Sequence, residues 1–286
     1  RNAPAPPAEA LLLTDLFDFD CNLTHADLIH DVEAMMQRGA AVGVTEMLVP
    51  GATLEESRAA IELCRKYPNN LFPTAGVHPY NALALPTATE LTALNELAQL
   101  DECTAVGECG LDYSPSFPEP ELQQAWFREQ LQLACALKKP LFLHERLAHA
   151  DFMALITSCK AQFDGYFPPA VVHCFTGNEL ELRAYVNEGF YIGVTGFLCK
   201  KTQGAPLREM VQQVPLQRLV IETDAPYMGF PKCRRHEAAE VKKQYPNVPS
   251  ALPLVAEALA SALGKTPQEI ATITRANAQR FLRLSV

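Results

Sequence analysis

Long apolar runs are missing from this sequence: none approaches the roughly 18 to 20 residues that a bilayer-spanning helix needs, so no membrane contact is expected. Paired cysteines are missing as well. The nine cysteines form no C-x-x-C and sit singly in apolar stretches, as at Cys64, Cys103, Cys135, Cys159 and Cys174. An odd, scattered set speaks against zinc knuckles and reads as buried reduced thiols in a reducing compartment, the cytoplasm or the nucleus. Positive charge is scarce, with 24 Lys and Arg against 33 Asp and Glu and a formal net charge of -9. That balance argues against wrapping duplex DNA on a broad basic face and leaves room only for a local basic groove. Neither G-x-G-x-x-G nor G-x-x-x-x-G-K-[ST] follows any strand-like run, which counts against a nucleotide-binding open sheet.

What is present is a 48% hydrophobic content over 286 residues. That is ample for one large core, and α/β barrels reach this length as a single domain. The opening RNAPAPPAEA has no charged-then-apolar signal grammar and no initiator Met. Residues 1–10 are therefore expected as a disordered lead, and residues 11–286 as one folded domain.

From Leu11 onward eight short β-rich runs alternate with segments of helical period: LLLTDLFDFD, TEMLVPGA, LFPTAGVHP, CTAVGECG, PLFLHE, AVVHCF, FYIGVTG and RLVIETD. In Thr53–Lys66 the residues Leu54, Ala59, Ile61, Leu63 and Cys64 supply an inward stripe, and Thr53 with Glu56 is a candidate capping box. The stretch Glu119–Lys138 is helical by the spacing of Leu122, Trp126, Phe127 and Leu131, with the sole Trp packing helix on sheet. Further helices are expected at 147–162, 179–188, 206–214, 252–263 and 267–284. Continuous apolar strands between helices call for a parallel sheet covered on both faces, and eight such units suggest a closed (β/α)8 barrel, with an open doubly wound sheet as the alternative. Residues 228–250 form the longest irregular stretch and are expected to cross the barrel mouth.

Polar residues recur at the ends of these runs: Asp18, Asp20, Asn22, His78, Glu108, His144, His173 and Asp224. In a barrel the strand ends make one face, where active sites are built. A single such residue is ordinarily a cap or turn former, and a lone histidine ending an apolar run is ordinarily a satisfied core group. A shared register across several strands fits neither. Two imidazoles and two carboxylates form a mixed N/O donor set suited to a borderline divalent ion such as Zn²⁺ or Mn²⁺, while Mg²⁺ favours the carboxylates and water. One or two ions fit such a set. Arg146, two residues past His144, suits a phosphate better than a core. His25, His30, His149 and His236 read as surface or helix residues. The basic runs at Lys200-Lys201 and Lys232–Arg235 read as solvated loops, or as the lining of a groove that tracks a single strand.

The segments FDFDCNLTH, TAGVHP, VGECGLD, FLHER, VHCFTG, YIGVTGF and IETDAPY, in this order, resemble the TatD family of metal-dependent deoxyribonucleases, a TIM-barrel branch of the amidohydrolase superfamily. The likeness runs from about Phe17 to Leu282. It implies metal ligands at Glu108, His144, His173 and Asp224, a phosphate contact at His78, and trimming of single-stranded DNA from 3′ to 5′ in repair or degradation. Many members carry H-x-H after the first strand, where this chain has Asp20 and Asn22, so Asp20 is left as the candidate oxygen ligand there. Val248 stands where the family usually has a glutamate in N-E-P. The expected reaction is in-line attack of metal-activated water on phosphorus, with Asp224 removing the proton, Glu108 beside it, and a monomer acting on DNA ends. The competing readings are an amidohydrolase acting on an amide, ester or lactone, which predicts an apolar pocket, and a degenerate barrel kept as a binding module.

Overall fold

The computed structural model describes residues 13–237 and 247–284. The lead expected at residues 1–10 lies outside them, as do residues 238–246 of the loop expected over the mouth. Eight strands form one sheet in sequence order, every neighbouring pair parallel: β1 (Leu16–Asp18), β2 (Val44–Val49), β3 (Leu71–Ala75), β4 (Ala105–Asp112), β5 (Leu141–Arg146), β6 (Ala170–Val172), β7 (Tyr191–Val194) and β8 (Leu219–Ile221). The connecting helices are α1 (Val32–Ala40), α2 (Leu54–Lys66), α3 (Ala88–Gln99), α4 (Pro120–Leu137), α5 (His149–Gln162), α6 (Glu179–Asn187) and α7 (Ala205–Met210). Two more, α8 (Leu252–Leu263) and α9 (Pro267–Leu282), end the described chain. No helix among the described residues is long and apolar enough to cross a membrane.

The barrel closes between β8 and β1 just beyond their paired segments. The Phe19 N–H donates to Ile221 O (3.0 Å), Asp224 N–H to Asp20 O (2.9 Å) and Asn22 N–H to Ala225 O (2.8 Å). Asp18 reinforces this seam from a fully buried position, accepting from the Thr223 backbone N–H (2.7 Å) and hydroxyl (2.6 Å).

Strand alternation divides the apolar residues between two layers. Phe17, Phe19, Leu48, Ala105, Phe142, Val171, Tyr191 and Val220 fill the barrel, and Phe281 of α9 closes its lower end, edge-on to Phe19 (5.4 Å) and Tyr191 (5.2 Å). Leu16, Met47, Leu143, Val172, Ile192 and Ile221 face outward into the helical ring. Trp126 packs with Ala75, Val77, Leu94 and Cys103, and its indole N–H donates to Ala84 O (2.8 Å), which agrees with its expected place between helix and sheet.

The expected helices form, with ends shifted by local backbone chemistry. Leu147 adopts φ 55, a left-handed conformation that cannot continue a helix, so α5 starts at His149 rather than at 147. The segment expected as one helix at 206–214 divides into α7 and a 3-10 turn, Val211–Gln213. At the start of α2 the Thr53 hydroxyl accepts the Glu56 N–H (3.0 Å). The full reciprocal capping box appears instead at Thr87/Glu90, Asn178/Glu181 and Thr266/Glu269.

Candidate active site

The strand alternation that fills the barrel also builds its mouth. Two residues beyond the interior Phe142, Val171 and Val220 stand His144, His173 and Glu222, so the last apolar layer is followed by a polar one. Glu108 enters from β4 between two glycines with φ of 140 and 151. A Cβ on Gly107 would lie 2.2 Å from Phe142 O and one on Gly110 1.8 Å from His144 O, so β4 passes too close to β5 for any side chain. Gly193 makes room in the same way, since a Cβ there would lie 2.8 Å from both carboxylate oxygens of Glu222.

Three imidazoles meet at one oxygen. Oε1 of Glu108 lies 2.7 Å from His173 Nε2, 3.1 Å from His144 Nδ1 and 3.2 Å from His78 Nε2. A carboxylate oxygen has two lone pairs, so three ring nitrogens exceed its capacity as an acceptor. On its far side His173 Nδ1 lies 3.1 Å from Asp20 Oδ2 and 3.6 Å from Glu222 Oε1. Glu222 Oε1 also accepts the Cys174 N–H. Asp112 Oδ2 lies 2.9 Å from His144 Nε2 and fixes that ring. Asp224, left-handed at φ 54, accepts a hydrogen bond at Oδ1 from the Asn22 amide (3.1 Å).

Burial opposes charge on His173 and His144, but Glu108 with Asp20 raises the first well above the usual imidazole range, and Asp112 with Glu108 raises the second. For His78 burial prevails and its pKa falls. Burial would also raise Glu108, yet His173 and His78 hold it well below the usual carboxylate range. Asp20 rises to about 7 and Asp224 rises well above its ordinary value, both chiefly through burial among other acids.

The donor set fits a divalent cation. His78, Glu108 and His144 form one group of ligand atoms lying within 4.8 Å of one another, and Asp20, His173 and Glu222 form a second. Both oxygens of Asp20, Oε2 of Glu222 and Nδ1 of His173 are buried with no hydrogen-bond partner. The Asp20 to His173 contact is short but not aligned as a hydrogen bond. Buried acidic oxygens without donors are costly unless a cation faces them.

Above these groups opens a cavity of about 660 Å³, lined by His78, Glu108, His144, Arg146, His173 and Asp224 among others. Residues 17–283 match the family model described as TatD related DNase. The chain belongs to the TatD family. A 3'-5' ssDNA/RNA exonuclease TatD of Salmonella typhimurium is 38% identical over 275 residues, covering 94% of this chain and 99% of the relative. Another so named, from Cronobacter sakazakii, is 40% identical over 268 residues, covering 93% and 97%. Among solved structures, YJJV, a TatD homologue of Escherichia coli K12, superposes with a TM-score of 0.81 at 26% identity, covering 95% and 99%. A TatD family hydrolase of Entamoeba histolytica gives 0.80 at 27% identity, covering 94% and 98%.

The TatD barrel gathers the residues singled out from sequence, with some changes of place. Glu108, His144 and His173 are brought into contact. His78, expected against phosphate, sits within ligand distance of Glu108. Asp224 lines the cavity but joins neither ligand-spaced group, and Asn22, found where many members carry a histidine, orients it instead. Arg146 is exposed on the cavity wall. His25, expected as a surface residue, lines the cavity too. The basic runs do not: Lys200 lies over the Phe197 ring and Arg235 pairs with Glu257 (2.6 Å). Asp112 and Glu222 join the site without having been among the residues expected from the sequence. Both lie in the quoted segments at an even spacing from a residue that was singled out, Glu108 or Asp224, and that spacing was the available signal.

Proposed function

We propose that this TatD-family nuclease hydrolyses phosphodiester bonds of single-stranded DNA, working from the 3′ end in a role in DNA repair or degradation. The names of the TatD relatives support the strand preference and polarity. The observation that carries the chemistry is the meeting of three imidazoles on Glu108 Oε1 beside the donorless oxygens of Asp20 and Glu222, at the floor of a cavity that His78 and Arg146 also line. The presence of His78 and Arg146 in that lining is what a phosphate substrate predicts.

In this reading Glu108, His144, His173 and Asp224 hold the cation, with Asp20 as the oxygen donor on the β1 side. A divalent ion bound there supplies a Lewis acid toward the phosphoryl oxygens and lowers the pKa of water. Mg²⁺ or Mn²⁺ suits activity on an oxygen-rich substrate, and the imidazoles also accommodate Zn²⁺. Asp112 holds the His144 ring at its outer nitrogen, so the inner nitrogen faces the site. Arg146 meets the phosphate of the strand, and His78 stands between that phosphate and Glu108. Asn22 donates to one oxygen of Asp224 and so orients the carboxylate that would take the proton of the attacking water.

The test is degradation of end-labelled single-stranded DNA in Mg²⁺, Mn²⁺ or EDTA by the wild type and Glu108→Ala, with metal content measured on both. The expected result is activity abolished by EDTA and by the substitution, with metal lost from the variant. Activity indifferent to both treatments overturns the metal site. A metal-loaded protein that cleaves no nucleic acid overturns the substrate and favours a carbonyl compound.

A further inference from the structure

Two tyrosines on the rim of the mouth are not used by the chemistry above. Tyr80 is 57% exposed and Tyr227 54%, large rings left half in water, and both line the same cavity as Glu108. Isolated exposed aromatics are ordinary on any surface. These two are held in place. Tyr80 meets Phe117 in a T-shaped contact at 5.4 Å, and Tyr227 meets His25 likewise at 5.4 Å. Each is also tied to the polar floor. The Tyr80 N–H donates to His78 Nδ1 (3.0 Å), while Tyr227 follows Asp224 by three residues and its carbonyl accepts from the Asn247 amide (2.7 Å). The pairs occupy different arcs of the rim, one after β3 and β4, the other beside the seam between β8 and β1.

Resting on the single-strand nuclease reading, we propose that Tyr80 with Phe117 and Tyr227 with His25 are two nucleobase-stacking platforms that grip the unpaired bases on either side of the phosphate to be cut. Every base has a π-face, so stacking on a ring is tolerant of sequence and gives grip without base readout. A tyrosine fixed by its neighbour loses little conformational entropy on binding. Within a duplex both faces of a base are already stacked, so an unpaired strand offers faces to these rings that paired bases away from an end do not. The platforms would thus select single strands, and in a chain of net charge -9 they supply binding that a basic surface does not.

The test is fluorescence anisotropy in Mg²⁺ with a fluorescein-labelled, phosphorothioate-linked oligothymidylate that resists cleavage, alongside KM and kcat on the ordinary oligonucleotide. Tyr80→Ala and Tyr227→Ala are each expected to weaken binding about 5- to 150-fold, the range of one base–aromatic stack, and to raise KM. Tyr80→Phe and Tyr227→Phe keep the ring and are expected to restore binding. On an abasic probe of the same length the wild type and the alanine variants should bind alike. Alanine variants that bind the oligothymidylate as the wild type does, or that lose as much on the abasic probe, overturn stacking while the nuclease reading stands. A wild type that neither binds nor cleaves the oligonucleotide overturns both.

Discussion

Asp112 shows what a residue outside the donor set contributes. Its carboxylate meets His144 Nε2 at 2.9 Å, and it is itself fixed by the Ser114 N–H (2.8 Å). In the proposed site a ring held at one nitrogen would present the other to a cation in a single orientation. Removing such a partner ordinarily lowers metal affinity 10- to 100-fold. Asp112→Ala is therefore expected to weaken Mn²⁺ binding by about that factor, read by calorimetric titration, and to shift the metal dependence of DNA cleavage in parallel. Unchanged affinity would show that His144 is oriented by packing alone. At this scale the sequence was legible where a polar residue ended an apolar run, as at His144, His173 and Glu108. It was not legible where function depends on which neighbour a side chain reaches. Asn22 reads as a lost ligand in the chain and is found oriented on Asp224 in the fold, because the partner lies 202 residues away.

The elements were legible because their signals are local. Continuous apolar runs became strands, and stripes at helical spacing became helices. Ends were less so, because a single backbone conformation such as that of Leu147 decides them. The box at the start of α3 is a case with a measurable weight: the Thr87 hydroxyl accepts the Glu90 N–H (3.3 Å), and Glu90 accepts the Thr87 N–H (2.8 Å). Thr87→Ala is expected to cost about 1 kcal/mol, a fall in Tm of roughly 2 to 4 °C for a chain of this size. The Thr87 hydroxyl and N–H hold the Glu90 carboxyl below its ordinary value. A carboxyl whose pKa is depressed on folding stabilises above its unfolded pKa, about 4.3 for glutamate, and loses that contribution as pH falls through the folded value. The difference between wild type and Thr87→Ala, followed by thermal melts, should therefore be full near neutrality and shrink as pH drops below about 4. A difference that stays constant with pH would assign the cap to the hydroxyl alone.

For the whole molecule, eight alternating units made a closed barrel the leading expectation, and the eight parallel strands in sequence order bear it out. The chain did not tell how the seam is made, because Asp18 and Thr223 stand at opposite ends of the sequence. Closure brings Asp20 beside His173 and Glu222, and Asp224 beside Asn22, so the seam that closes the barrel also completes its acidic floor. That floor has a thermodynamic consequence. In the folded chain buried carboxylates are held together; in the unfolded chain they are hydrated and apart, and a divalent cation has no preformed site. A ligand that binds only the folded state adds RT ln(1 + [L]/Kd), about 2.7 kcal/mol at a hundredfold excess over Kd. At roughly 2 to 4 °C per kcal/mol for a protein of this size, Mn²⁺ is expected to raise Tm by about 5 to 11 °C over the EDTA-treated protein. The rise should grow with the logarithm of metal concentration above Kd. In Glu108→Ala, where the imidazoles lose their common carboxylate, the rise should largely vanish while the EDTA-treated Tm changes less. An equal rise in the variant would place the stabilising ion elsewhere, away from the floor where β4, β5 and β6 deliver Glu108, His144 and His173.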